Sequence, residues 1–183
     1  SQNPNEPTIN HLTVLQMVDG TDTTLHLTDA QGNYQIDVNL GSYDLQALPS
    51  NLYWESCPPQ TVNFTNTYDS TTIDMGLQPV ISCTKLGVNI STPVLVRCFS
   101  NTYHVVYANT GTQDAINAYI EVELDPYLIV NSSSLPYTQN GTIYTFQLGD
   151  LDIFESGNFT IDVTVDCAAS LGYTHCAEAN IFP

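Results

Sequence analysis

The stretch that decides the fold is Thr28-Asp29-Ala30-Gln31-Gly32-Asn33-Tyr34-Gln35-Ile36-Asp37-Val38-Asn39-Leu40-Gly41-Ser42-Tyr43-Asp44-Leu45. It reads as a tight turn, an alternating strand, a second turn and another alternating strand. Tyr34, Ile36, Val38 and Leu40 fall on one face, and Gln35, Asp37 and Asn39 on the other. Successive strand side chains point to opposite sides, so this alternation is what a half-buried antiparallel strand requires. Such a segment builds a scaffold and carries no chemistry of its own.

The chain has 183 residues, enough for one large or two small domains. Hydrophobic residues make up 42%, which suits a globular protein rather than a disordered one. Nineteen acidic residues face only two basic ones, Lys85 and Arg97, for a formal net charge of −17. Phosphate neutralisation needs clustered Lys and Arg, so nucleic-acid binding is excluded, and an anionic membrane surface would repel the chain. The acidity reads most simply as solubility in a salty or calcium-containing medium. No apolar run approaches the ~20 residues that span a bilayer. No signal peptide is visible at Ser1, so a processed or excised piece of a longer polypeptide is expected.

Five cysteines occur, Cys57, Cys83, Cys98, Cys167 and Cys176, at spacings that match neither a zinc ribbon nor a CxxC redox motif. Their polar surroundings suit an oxidising extracellular setting. The expected pairs are Cys83 with Cys98 and Cys167 with Cys176, each closing a short loop. Cys57 is then left unpaired or available to another chain.

Residues 1–11 are polar and Pro-rich and read as a linker or lead-in. Strands are expected at about 12–18, 23–28, 33–40, 43–47, 61–65 and 72–77, forming a unit over residues 12–79. A second unit spans 80–183, with strands at about 85–90, 102–109, 116–124, 142–148 and 158–165. Asn109-Thr110-Gly111-Thr112 and Asn140-Gly141 supply turns that tolerate positive φ. Short alternating strands with no helical period predict an all-β chain of two tandem antiparallel β-sandwiches.

Two motif sets carry a resemblance. Thr28-Asp29-x-x-Gly32-x-Tyr34, followed by Gly41-Ser42-Tyr43, resembles prealbumin-like domains, the Cna-type B and carboxypeptidase-regulatory-like modules of bacterial surface proteins. Arg97-Cys98-Phe99-Ser100-Asn101-Thr102-Tyr103, Val106-Tyr107-Ala108-Asn109-Thr110-Gly111-Thr112 and Leu171-Gly172-Tyr173-Thr174-His175-Cys176 resemble the immunoglobulin-like conserved repeat of large secreted Bacteroidetes proteins. That resemblance implies an extracellular, cell-surface role as an adhesin, stalk or filament component. No counterpart of the usual opening strand precedes residue 12, and the chain stops at Pro183 where the family continues. A repeat completed by neighbouring copies is therefore the expectation.

The histidines His11, His26, His104 and His175 show neither the i, i+4 spacing of a zincin nor a triad pattern, so structural roles are expected for all. Glu121 and Glu123 share one strand face at a spacing a glycosidase pair could use, about 6.6–7 Å along the strand. They read instead as the polar side of an edge-like strand without an aromatic platform. Calcium is the more credible site chemistry: Asp19 with Asp22, and Asp150 with Asp152 and Glu155, offer hard oxygen ligands within single loops, although solvated acidic turns explain them more simply.

Eleven tyrosines against one tryptophan point to sandwich capping and intersubunit packing, or to a glycan- or protein-binding platform. Sequons stand at Asn63, Asn89, Asn131, Asn140 and Asn158. The expected function is a non-catalytic structural or adhesive repeat of a secreted bacterial surface filament. Its expected partners are other copies of itself, with a surface protein or glycan as a further ligand. The competing reading is a carbohydrate- or protein-binding accessory module of a secreted enzyme.

Overall fold

The computed structural model describes residues 9, 13–18 and 21–183. The expected lead-in at residues 1–11 lies outside the described residues apart from Ile9, as do His11 and Asp19. Every regular element among the described residues is a β-strand, so the chain is all-β. It divides into two compact units, Ser1–Ser82 and Cys83–Pro183.

In the first unit, β1 (Thr13–Val18), β2 (Asp22–Leu27), β3 (Gly41–Leu48) and β5 (Gln60–Phe64) form an antiparallel sheet in the order β2-β1-β3-β5. A ribbon pairs β4 (Trp54–Ser56) with β6 (Leu77–Pro79). Among the described residues, Val14, Tyr43, Leu45 and Ala47 are the buried apolar side chains of this unit, and the register sets Val14 opposite Ala47 and Gln16 opposite Leu45. Asp29 builds the opening turn by accepting from the Asn33 N–H at 2.8 Å and the Gln31 N–H at 2.9 Å. The Asn33 bond is the main reason the Asp29 carboxyl lies below its ordinary range. Gly32 takes φ 80°, a conformation glycine adopts without steric cost.

The expected strand at 33–40 needs correction. Tyr34, Ile36 and Val38 do alternate half-buried with exposed Gln35, Asp37 and Asn39, but the segment joins no ladder, and Leu40 is exposed. The segment at 72–76 likewise lies outside any ladder. Alternation tells which face is covered; it does not supply a hydrogen-bonding neighbour.

The second unit is a sandwich of two four-stranded antiparallel sheets. One holds β10 (Leu128–Ser133), β13 (Ser156–Val165), β8 (Ser100–Asn109) and β7 (Leu86–Ser91) in that order. The other holds β11 (Tyr137–Asn140), β12 (Ile143–Leu151), β9 (Ala115–Leu124) and β14 (Ala177–Phe182). Inward residues of both sheets, among them Val105, Ile120, Val122, Phe146, Phe159, Ile161 and Val163, make one continuous core. Phe146 and Phe159 anchor it, with ring centroids 4.6 Å apart. Asn117 at φ 56° and Gly149 at φ 87° accompany the register shifts between β9 and β12, which re-aim the strand start so that Ala115 also faces inward.

Cysteine pairing differs from expectation: Cys98 is bonded to Cys167, with Cα atoms 4.7 Å apart, in place of the Cys83–Cys98 and Cys167–Cys176 pairs. The β8–β13 register explains it. Ser100 stands opposite Thr164, and the Cys98 N–H donates to the Val165 carbonyl, which carries Cys98 alongside Cys167. Sequence proximity suggested short loops, whereas strand pairing closed one of 69 residues. Cys57, Cys83 and Cys176 are free thiols.

Asn109 and Gly111 form the structural hub of the Tyr-x-Asn-x-Gly-Thr motif. Asn109 is fully buried; its amide donates to the Gln113 and Leu151 carbonyls, and its Oδ1 accepts from the Gly111 and Lys85 N–H groups. Gly111 lies so close to the Cys83–Lys85 backbone that a Cβ there would sit 2.4 Å from the Lys85 nitrogen.

Candidate functional site

Strand parity makes the outward face of β9, β12 and β14 the richest in binding chemistry. Ala118, Ile120, Val122 and Leu124 are buried inward, so Tyr119, Glu121 and Glu123 project outward. The ladders then set three rows across the face. Tyr119 lies between Gln147 and Phe182, Glu121 between Thr145 and Asn180, and Glu123 between Ile143 and Glu178.

Tyr119 and Phe182 stack with centroids 5.1 Å apart and planes inclined by 22°. Both rings are half-exposed, while Gln147 and Asn180 beside them are exposed. Asn180 Nδ2 donates to Glu178 Oε1 at 3.1 Å, and the Thr142 hydroxyl donates to Glu123 Oε1 at 3.4 Å. The face thus combines flat apolar area with amide and carboxylate groups at fixed spacing.

This corrects the reading of Glu121 and Glu123 as residents of an edge-like strand without aromatics. β9 is paired on both sides, and Tyr119 shares their face. The parity argument applied to the two glutamates also reaches Tyr119, two residues earlier. Phe182 was not legible, because β14 opens with the weak strand signal Ala-Glu-Ala-Asn and its partner is distant in sequence.

Asp22 opens β2, and Asp19 lies outside the described residues. Asp150 Oδ1 accepts from the Asn117 N–H, and Glu155 Oε2 accepts from the Asp152 N–H, each at 2.8 Å. These carboxylates serve as turn caps, and no three acidic, His or Cys residues gather as a metal-holding group among the described residues. Transfer from calcium to a chelating buffer is expected to leave the melting temperature unchanged. An upward shift with calcium of more than about 3 °C, read by calorimetry, would contradict the capping role.

The histidines occupy separate settings. His26 belongs to a polar cluster with Thr24 and Gln16. His104 is exposed on the outward face of β8. There Asp162 accepts from the Thr102 and Ser132 hydroxyls, which hold its carboxyl below the ordinary range. An open groove of about 490 Å³ beside it is lined by Val94, Val96 and Phe99. His175 is largely buried against Tyr127 and Tyr173, with Nδ1 3.2 Å from Asp125 Oδ1 but not aligned for a hydrogen bond.

No protein-family model matches this chain, and no curated protein matches it. Among solved structures it is similar to the chitinase ChiA74 from Bacillus thuringiensis, at 12% identity and a TM-score of 0.33. The match covers 91% of this chain and 24% of that one, so this chain spans about a quarter of that protein's length. A likeness at that level carries no functional argument.

Proposed function

We propose that the chain is a non-catalytic structural and adhesive module of a secreted surface protein, with the outward face of β9, β12 and β14 as its contact surface. The observation that carries this reading is the Tyr119–Phe182 stack, held half-exposed beside Gln147, Asn180 and Glu121 across the paired strands β9 and β14. Aromatic side chains bring large contact area with little rotamer freedom to lose, which is why they dominate recognition surfaces. The resemblance of the motifs to modules of bacterial surface adhesins and filaments points the same way, as does a disulfide, which persists in oxidising compartments.

The same stack favours one alternative, a carbohydrate-binding accessory module of a secreted enzyme. Flat rings flanked by Gln and Asn amides suit the apolar face and hydroxyls of a sugar. Probing the intact chain against arrayed glycans and immobilised surface proteins separates the two. Protein or cell-surface capture with no soluble-sugar competition supports adhesion, and competition by a defined oligosaccharide supports the accessory module. In either case Tyr119→Ala with Phe182→Ala is expected to weaken capture about tenfold or more while the fold survives, since truncating central aromatic anchors typically costs about 2 kcal/mol or more. Capture unchanged by the double substitution would rule this face out as the contact surface.

A further inference from the structure

Two segments of the first unit have the form of strands without the pairing of strands. Residues 34–40 alternate half-buried Tyr34, Ile36 and Val38 with exposed Gln35, Asp37 and Asn39, and residues 72–75 alternate exposed Thr72 and Asp74 with half-buried Ile73 and Met75, ahead of Gly76, whose carbonyl accepts from the Cys57 N–H, and Leu77, which joins β6. The backbone N–H groups of Tyr34 to Leu40 and of Thr71 to Met75 find no hydrogen-bond partner among the described residues. Their few bonds come from side chains: the Tyr34 hydroxyl donates to the Ile73 carbonyl at 2.8 Å, the Tyr43 hydroxyl to the Asn39 carbonyl, and the Gln60 amide to the Asp74 carbonyl.

One face of each segment is therefore partly covered, and the phenol of Tyr34 ties the two together. A row of unpaired N–H groups along an extended segment is a template for a further strand.

We propose that residues 34–40 and 71–75 form an acceptor site for an extended segment of a different protein, bound by β-strand addition. The occupant presents apolar side chains at alternate positions inward, beside Ile36, Val38 and Ile73. Outward it presents uncharged or basic side chains. The outward requirement follows from charge: Asp37 and Asp74 are both exposed on these segments, and the chain's only two cations, Lys85 and Arg97, belong to the second unit. Arg97 is moreover engaged with the Ala169 carbonyl. A second copy, at net charge −17, brings repulsion where a basic strand brings attraction. The site is separate from the β9 face and stands or falls independently of it.

The test uses the whole chain and a synthetic peptide of about nine residues alternating Val with Thr and Lys. Amide hydrogen exchange is read with and without it. Its controls are the same peptide N-methylated at alternate amides and a version with Glu in place of Lys. The unmodified peptide is expected to slow exchange in residues 34–40 or 71–75 by about tenfold or more. The N-methylated peptide should give no protection, and the Glu version should bind about tenfold more weakly or worse. Ile36→Lys should weaken binding while Tyr119→Ala leaves it unchanged.

Three results overturn the proposal. One is amides in these segments that are already slow without peptide. Another is no protection at millimolar peptide. The third is protection that rises with protein concentration alone, which would make a second copy the occupant.

Discussion

Replacing Cys98 and Cys167 together by serine is expected to lower the stability of the second unit by about 4 kcal/mol, the chain-entropy value for opening a loop of this size. For a unit of this length that corresponds to a fall in melting temperature of roughly 15 °C or more. Wild-type chain treated with reductant should lose the same amount, since the other three cysteines are free thiols. Peptide mapping under non-reducing conditions provides the covalent check. Recovery of Cys98–Cys167 supports the strand-register argument, whereas a Cys83–Cys98 or Cys167–Cys176 fragment contradicts it. A reduced chain that melts at the oxidised temperature would show that the sandwich core holds the β8 and β13 ends together unaided.

The second large effect is expected at Gly111. Its φ is not the constraint; the constraint is space, because a Cβ would meet the Lys85 nitrogen at 2.4 Å and the Cys83 carbonyl oxygen at 2.5 Å. Both obstacles are backbone, so Gly111→Ala must displace the Cys83–Lys85 segment, and with it the bonds from the Thr110 and Thr112 N–H groups to the Lys85 and Cys83 carbonyls. Overpacking of this kind costs about 1–3 kcal/mol. Stranding the Asn109 side chain adds a comparable penalty for unmet buried polar groups, about 1–3 kcal/mol more. Urea unfolding should therefore place the variant about 3 kcal/mol or more below wild type. Gly172→Ala is the control. That glycine has φ 79° but nothing within 4 Å of its would-be Cβ, so only the conformational penalty of about 1 kcal/mol applies. Equal losses at the two positions would contradict the close-approach explanation.

What the sequence disclosed was set by how local the governing physics is. Phe159, Ile161, Val163 and Val165 declare β13 because four alternating β-formers in ten residues need no distant information, and all four are buried. The Asp29–Gly32 turn was legible for the same reason, its bonds lying within five residues. Strand partners were not legible. Residues 33–40 carry the cleanest alternation in the chain yet join no ladder. β14, with its two alanines, carries a weak signal yet completes the sheet that frames the candidate face. Cysteine pairing failed on the same ground, because proximity along the chain is a poor guide where antiparallel pairing joins residues 69 apart. At the candidate site, Glu121 and Glu123 were found by parity and their neighbour Tyr119 was readable by the same rule. Phe182 needed the β9–β14 register.

Contact is proposed to run through the outward face of β9, β12 and β14 rather than through the groove beside β8. Fluorine labelling of the six phenylalanines tests it directly, because Phe182 stands on the first surface, Phe99 lines the second, and Phe146 and Phe159 are buried in the core. On titration with the best-retained glycan or surface protein from the array, the Phe182 resonance is predicted to shift or broaden while those of Phe99, Phe146 and Phe159 hold their positions. Movement of Phe99 with Phe182 unchanged would contradict the claim and assign recognition to the groove.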